Sequence, residues 1–491
     1  MKLHHHLFII AVAWHILTAF FSTGYHHPDE HHQIIEFAEA VTPEYDTSGL
    51  AWEYGARIRP ATQPLLCYVI FQACEFASLT NPYEKTFALR LITGLLATLI
   101  LFHFTNSCRP LISQRYWLPF LIVSYFLWFL PFINVRFSSE TWSGLGLLMA
   151  LSLTLRGEDK RYHSILIGFA LGMAFLFRYQ IALAATGLIL WLILVKKSPL
   201  LQLVKILGAI VFIAGIGFLL DSYYYGDWTV TSWNYLNVNI FQSKASEFGV
   251  SPWFFYFYYV FRYAFFPIGI VILLSFFTVI AKDPKNIFVW TIVPFLAVHM
   301  IIPHKEVRFL FPLANLVPIL VFSAIQYLTK IRTSGITSRV LVMSTTILLF
   351  INGVSLVISS LKPSGKGRMR ITQKIGDIDP ENSLTVYSKF PTNPYEPWGL
   401  KANFYQDQRL SFQEFDSSAA SSVYPDWKTE TRLLILPLKE VDKAGTEYFA
   451  SKLYMKEVCR SVPKWMTPFL QIYGYRTKEI LVLFSDSEST S

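Results

Sequence analysis

Long apolar runs separated by short polar loops occupy the first three-quarters of the chain, and most approach the roughly 20 residues a helix needs to cross a bilayer. The first, 7–21, follows Met1 and Lys2. It reads as an uncleaved helix that starts in the cytoplasm, with no obvious small-residue cleavage site, because Ser22-Thr23-Gly24 leads straight into an acidic motif. The run 62–79 contains Gln63, Gln72 and Glu75, too polar for a comfortable span, and is expected to lie at the membrane interface. On that reading the later spans are 87–106, 117–134, 137–156, 161–177, 179–195, 203–221, 254–281, 286–303, 308–328 and 339–360. The total is about 11 transmembrane helices.

This alternation can be tested against charge. The inner loops collect Arg109 and Arg115; Arg156, Lys160 and Arg161; Lys196, Lys197 and Lys205; Lys282 and Lys285; and Lys330, Arg332 and Arg339. Every basic cluster between spans then lies inside, as the positive-inside rule demands, and treating 62–79 as a span reverses most of them. The opposite face receives the acidic loop 24–61, with Glu36, Glu39, Glu44, Asp46 and Glu53, together with the loop 221–252 and the turn 304–308. From residue 361 the charge rises and short β-type runs appear at 384–387, 433–436 and 480–484, beside the turn Pro391-Thr392-Asn393-Pro394. This stretch suffices for one small α/β domain, and the tail 485–491 is expected to be disordered.

Composition agrees with a polytopic membrane protein. Of 491 residues, 53% are hydrophobic and only 15% charged, against about 25% charged in a soluble protein. The net charge of +9 resides mostly in the short inner loops, a topology signal and not a nucleic-acid surface. Cys67, Cys74, Cys108 and Cys459 are scattered, form no metal or redox motif and read as packing thiols.

The candidate chemistry gathers on the outer side. In His26-His27-Pro28-Asp29-Glu30-His31-His32-Gln33, adjacent carboxylates follow directly on the first helix. Ionisable groups beside hydrocarbon are costly unless solvated, paired or used. Asp29 and Glu30 suit a general base that takes a proton from a sugar hydroxyl. A solvated acidic loop is the alternative. Adjacent histidines rarely converge on one ion, so no metal and no cofactor are expected. In His304-Lys305-Glu306-Val307-Arg308 the cations suit a phosphate, although interfacial anchoring explains them too. Asp221 to Trp228, followed by Asn234, Tyr235 and Asn239, interleaves aromatic rings with amides, which suits sugars or an interfacial belt. Arg136, Glu140 and Arg178 read as mainly structural pairs.

Taken together, these segments resemble glycosyltransferase family 22, the lipid-linked-mannose-dependent α-mannosyltransferases of the GT-C superfamily. His27-Pro28-Asp29-Glu30-His31-His32-Gln33 looks like its opening HPDE motif. Ala51-Trp52-Glu53-Tyr54 with Ile58-Arg59-Pro60 is similar to its TWEW…IRS element, with Pro60 in place of a small polar residue. Arg136 to Glu140 resembles R-T-x-S-N imperfectly. Asp221-Ser222 with Tyr225, Gly226, Trp228, Asn234, Tyr235 and Asn239 looks like DSxxYGxW…N(F/Y)xxxN, and His304 to Pro312 like HKExRFLYP.

The resemblance implies an all-α GT-C fold over 1–360, with a first outer loop 24–86 and a large outer loop 221–253, followed by an extracytoplasmic α/β domain over 361–491. It implies an inverting transfer of mannose from a polyprenyl- or dolichyl-phosphate donor to a lipid-linked glycan or glycolipid, giving an α-mannoside. Asp29 and Glu30 would be catalytic. His304, Lys305 and Arg308 would hold the donor phosphate. His27, Trp52, Arg59, Asp221, Tyr225, Trp228, Asn234, Tyr235 and Asn239 would contact substrate. The site would face the periplasm of a bacterium or the lumen of the endoplasmic reticulum. A lipid-glycan flippase or a non-catalytic glycolipid-binding protein is the alternative. A flippase should place its charges near the midplane in repeated, broken helices, whereas here they line one face. An oligosaccharyltransferase should carry a WWDYG-type motif, which is missing.

Overall fold

The computed structural model describes residues 2–42, 45–157, 162–329, 335–378, 383–388, 392–396, 399–407, 409–415, 431–472 and 475–486. Glu44, Lys160, Arg161, Lys330, Arg332, Pro391 and the tail residues 487–491 lie outside them. Among the described residues, five helices are long and apolar enough to cross a membrane: Leu3–Phe21, Pro82–Ser107, Leu200–Tyr225, Val307–Leu328 and Met343–Leu361. A sixth span results if Phe266–Lys282 and Ile287–Ile301, bent by 117° at their junction, count as one.

Two expected spans are broken, each by a proline. The run 117–134 divides into Gln114–Phe126 and Leu130–Asn134, with Leu127 extended between them. Pro131 explains the break, because its ring clashes with the carbonyl four residues earlier, that of Leu127. The run 254–281 divides in the same way into Phe255–Tyr263 and Phe266–Lys282. Pro267 stands four residues after Tyr263, where the first helix ends. The turn between them puts Phe265 at a φ of +68°, a region a bulky L-residue enters only under strain.

Contacts divide the chain into two units. The first comprises Met1–Thr18, Trp52–Leu66 and Arg90–Ser359, and the second Ala19–Ala51, Cys67–Leu89 and Ser360–Ser491. In the first unit, Phe104, Phe120, Tyr125, Phe288 and Phe295 are fully buried in one apolar core. Helices approach closely where glycine permits. A Cβ on Gly144 of Ser139–Arg156 would lie 2.7 Å from the Pro312 Cα, in the 3-10 stretch Val307–Leu316.

The second unit holds a five-stranded sheet of order β2-β1-β3-β5-β4, with β1 Leu384–Ser388, β2 Leu410–Glu414, β3 Thr431–Pro437, β4 Lys456–Arg460 and β5 Leu481–Ser485. β1 runs parallel to β2 and β3, whereas β5 runs antiparallel to β3 and β4. Leu384, Val386, Leu433, Ile435, Leu481 and Leu483 face Ile371 and Ile375 of helix Arg368–Gly376. The alternate residues Leu434, Leu436, Val482 and Phe484 are buried too, so β3 and β5 are covered on both faces and read as unbroken apolar runs. Ser485, assigned to the tail from sequence, is the last residue of β5.

Candidate active site

The acidic motif around Asp29 belongs to the second unit. Pro28 opens a single helical turn, Pro28–Glu30, and its preset φ suits that position. The His27 ring caps the turn, with Nδ1 accepting the Asp29 N–H at 3.3 Å. The two carboxylates then differ. Asp29 is partly exposed, with its Oδ1 3.3 Å from His27 Nδ1. Glu30 is buried and accepts the His26 N–H at 2.7 Å. One carboxylate is presented to solvent, and its neighbour braces the loop.

The chain continues into a π-helical turn, His31–Ile35, which closes with the Glu36 N–H donating to the His31 carbonyl. Such widened turns recur at functional sites. His31 Nε2 lies 2.8 Å from Glu36 Oε1, and the ring is stacked between Tyr25 and Tyr405. Glu36 also accepts from the Tyr45 hydroxyl at 2.8 Å and the Phe404 N–H at 3.1 Å. Burial works to raise the Glu36 carboxyl, but the His31 hydrogen bond and charge, with these donors, outweigh it and hold its pKa below the ordinary value. Burial pushes the His32 imidazole down to about 3.

A second constellation lies in the first unit. Glu140 Oε1 accepts from Arg178 Nη1 at 2.8 Å and from Arg308 Nη1 at 2.9 Å. Arg308 also forks onto Glu306, with Nε to Oε2 at 2.6 Å and Nη2 to Oε1 at 3.1 Å. Glu306 Oε1 is 2.9 Å from His304 Nε2. That bond raises the His304 pKa, with burial opposing and the Gly249 carbonyl assisting. The Lys305 ammonium is turned onto the carbonyls of Ile302, at 2.6 Å, and Ser251, at 3.1 Å, and burial lowers its pKa. The Ser251 N–H donates to the Pro303 carbonyl at 2.9 Å. Residues 249–251 are thereby strapped to the 302–305 turn.

A third set joins two segments of the same unit. Helix Leu200–Tyr225 ends at Gly226, whose left-handed φ of +69° lets its N–H turn back onto the last carbonyls. Asp221, in the last turns of that helix, accepts the Ala61 N–H at 2.7 Å and the Thr231 hydroxyl. The Tyr225 hydroxyl donates to the Arg59 carbonyl at 2.9 Å, and Asn234 Nδ2 to the Arg57 carbonyl at 3.2 Å. Arg59 itself lies 3.6 Å from Glu53. Tyr235 accepts from Gln180, and Asn239 Nδ2 donates to the Tyr235 carbonyl. Trp52 stacks on Phe248 and Trp228 on Phe218, with Trp228 78% exposed.

Sequence reasoning missed two things here. It treated Glu140 and Arg178 apart from the 304–308 turn, although Arg178 and Arg308 share one oxygen of the Glu140 carboxylate. It also let the histidines diverge, whereas His31, His32 and Glu36 each offer a donor atom within 4.8 Å of the others.

The sequence profile of the Alg9-like mannosyltransferase family matches residues 6–381. The chain belongs to the Alg9-like mannosyltransferase family. Its motif-based resemblance is thus borne out. Within this family the chain is 26% identical over 319 residues to "GPI alpha-1,2-mannosyltransferase 3" of Bos taurus, covering 62% of this chain and 56% of the relative. It is 24% identical over 345 residues to "Mannosyltransferase APTG1" of Arabidopsis thaliana, covering 68% and 60%. The matches therefore span less than two thirds of these relatives' length. Among solved structures, ArnT from Cupriavidus metallidurans bound to undecaprenyl phosphate superposes with a TM-score of 0.55 at 12% identity, covering 99% of this chain and 98% of that one. That likeness shows a shared fold. Five helices long and apolar enough to cross a bilayer support an integral membrane protein for this Alg9-like chain.

Proposed function

We propose that this chain is an inverting α-mannosyltransferase that moves mannose from a polyprenyl- or dolichyl-phosphate donor to a hydroxyl of a lipid-linked glycan or glycolipid. The observation that carries this reading is the division of labour between adjacent acids: Asp29 partly exposed on a capped turn, Glu30 buried and tied to the loop backbone. Asp29 removes the proton of the acceptor hydroxyl as its oxygen attacks the anomeric carbon of a β-linked donor. The sugar–phosphate bond breaks with inversion, giving the α-glycoside and a lipid phosphate. Glu30 orients the acceptor or a water. The leaving phosphate needs charge stabilisation more than a proton, and His304, Lys305 and Arg308 supply it.

His27, Trp52, Arg59, Trp228, Tyr235 and Asn239 contact the substrates, and Asp221, Tyr225 and Asn234 act chiefly by shaping the 57–61 segment. The relatives' names favour a glycosylphosphatidylinositol precursor as acceptor. About 11 spans, a transmembrane catalytic domain over 1–360 and an extracytoplasmic domain over 361–491 complete the reading. The chemistry takes place on the periplasmic or lumenal face.

The test uses purified protein in lipid, polyprenyl-phosphate-mannose and a panel of lipid-linked acceptors. Wild type should transfer mannose, and Asp29→Asn should lose at least about a hundredfold in rate with unchanged thermal stability. Equal transfer by both proteins removes Asp29 as the base. Transfer by neither, with the fold intact, refutes the donor or acceptor class.

A further inference from the structure

We propose that His31, His32 and Glu36 form a binding site for a divalent transition metal, with zinc the best-matched ion. This goes beyond the transferase reading and does not depend on it.

The three side chains lie in one unit and are all buried, and each contributes a donor atom within 4.8 Å of the others. The local backbone explains how adjacent histidines converge. In the π-helical turn His31–Ile35, the Glu36 N–H reaches back five residues to the His31 carbonyl. That wider turn returns the residue at i+5 to the neighbourhood of residue i, which an α-turn does not. Glu36 is thereby delivered to His31 at 2.8 Å, and the His31 and His32 rings meet edge to face with centroids 4.9 Å apart.

A second observation points to a ligand. His31 Nδ1 and His32 Nε2 are buried and have no hydrogen-bond partner among the described residues. A buried polar atom with no partner costs about 1–3 kcal/mol, and here two such atoms sit in adjacent residues of one turn. A cation bound through either nitrogen removes that cost there. Two imidazoles and a carboxylate are a donor set that zinc takes with a fourth position open to water. Tetrahedral bonds of about 2.0–2.1 Å set ligand atoms about 3.3 Å apart, so from the 4.8 Å limit the cluster needs to contract by at most about 1.5 Å. The surroundings supply the outer hydrogen bonds such sites use: the Tyr45 hydroxyl and the Phe404 N–H both donate to Glu36. Tyr25 and Tyr405 sandwich the His31 ring and fix its plane.

Full-length protein in nanodiscs, stripped with chelator and reloaded with zinc or cobalt(II), tests the site by elemental analysis, optical spectroscopy and X-ray absorption. About one tightly held equivalent per chain is expected, with tetrahedral cobalt d–d bands and an imidazole-containing first shell. His32→Gln and Glu36→Gln should abolish the bands, whereas His27→Gln, on the same loop but outside the cluster, should keep them. Should the two cluster variants misfold, the wild-type first shell decides the matter alone. Uptake below about 0.1 equivalent, a first shell without imidazole, or undiminished binding by a folded His32→Gln overturns the proposal.

Discussion

Arg308 shares a single carboxylate oxygen with Arg178: Glu140 Oε1 takes one guanidinium at 2.9 Å and the other at 2.8 Å. All three side chains are under 10% exposed. Without Glu140, two buried cations are left without the carboxylate they share. Glu140→Gln should therefore destabilise the protein by about 3–5 kcal/mol, the cost of breaking a buried pair on one side. Thermal unfolding in detergent measures it, and an unchanged midpoint would show that the bridge contributes nothing.

The fit that holds Glu140 to Arg308 depends on Gly144, one turn along the same helix. A methyl group there would meet the Pro312 Cα at 2.7 Å and its carbonyl oxygen at 2.9 Å. Gly144→Ala should cost about 1–3 kcal/mol through overpacking. Gly208→Ala, in open space within helix Leu200–Tyr225, should be neutral or mildly stabilising. Equal midpoints for the two variants would contradict the packing argument.

Glu306 raises the pKa of His304, so the sign of the pH effect is fixed. A group whose folded pKa lies above its unfolded value, here 6.5, contributes fully below that value and loses its contribution as pH rises through the folded pKa. The stability advantage of wild type over His304→Gln should shrink as the pH is raised from about 6 to 9. Paired melting curves across that range test this, and a difference that grows with pH would reverse the assignment.

Tyr225 holds the Arg59 carbonyl with its hydroxyl alone. Tyr225→Phe should cost about 1 kcal/mol and speed hydrogen exchange or proteolysis within 57–61. Unaltered protection of that segment would mean that the bond does not hold it.

Much of this was legible in the sequence. The motif His27 to Gln33 marked the loop where Asp29 and Glu30 take different environments, and the apolar runs within β1, β3 and β5 marked the strands at the centre of the sheet. What escaped did so for physical reasons. The edge strands β2 and β4, LSFQE and KEVCR, carry polar residues that an outer position tolerates, so they lack the apolar signature. Pro131 and Pro267 stood in the sequence as warnings of helix breaks, but hydropathy averages over a single proline. The convergence of His31 and His32 depends on a turn with the wider hydrogen-bond pattern, which residue spacing does not announce.

Asp221, Tyr225 and Asn234 grip the 57–61 segment at the Ala61 N–H and at the carbonyls of Arg59 and Arg57. Every gripped atom is main chain, so these three bonds depend on the side chains of the gripping partner and not on those of the segment. Pro60 illustrates the consequence: it lacks an N–H, and none of the three bonds calls on one. Three residues more than 150 positions away thus set the path of the segment's backbone, while its own side chains are committed elsewhere, Ile58 to the core and Arg57 to Asp227.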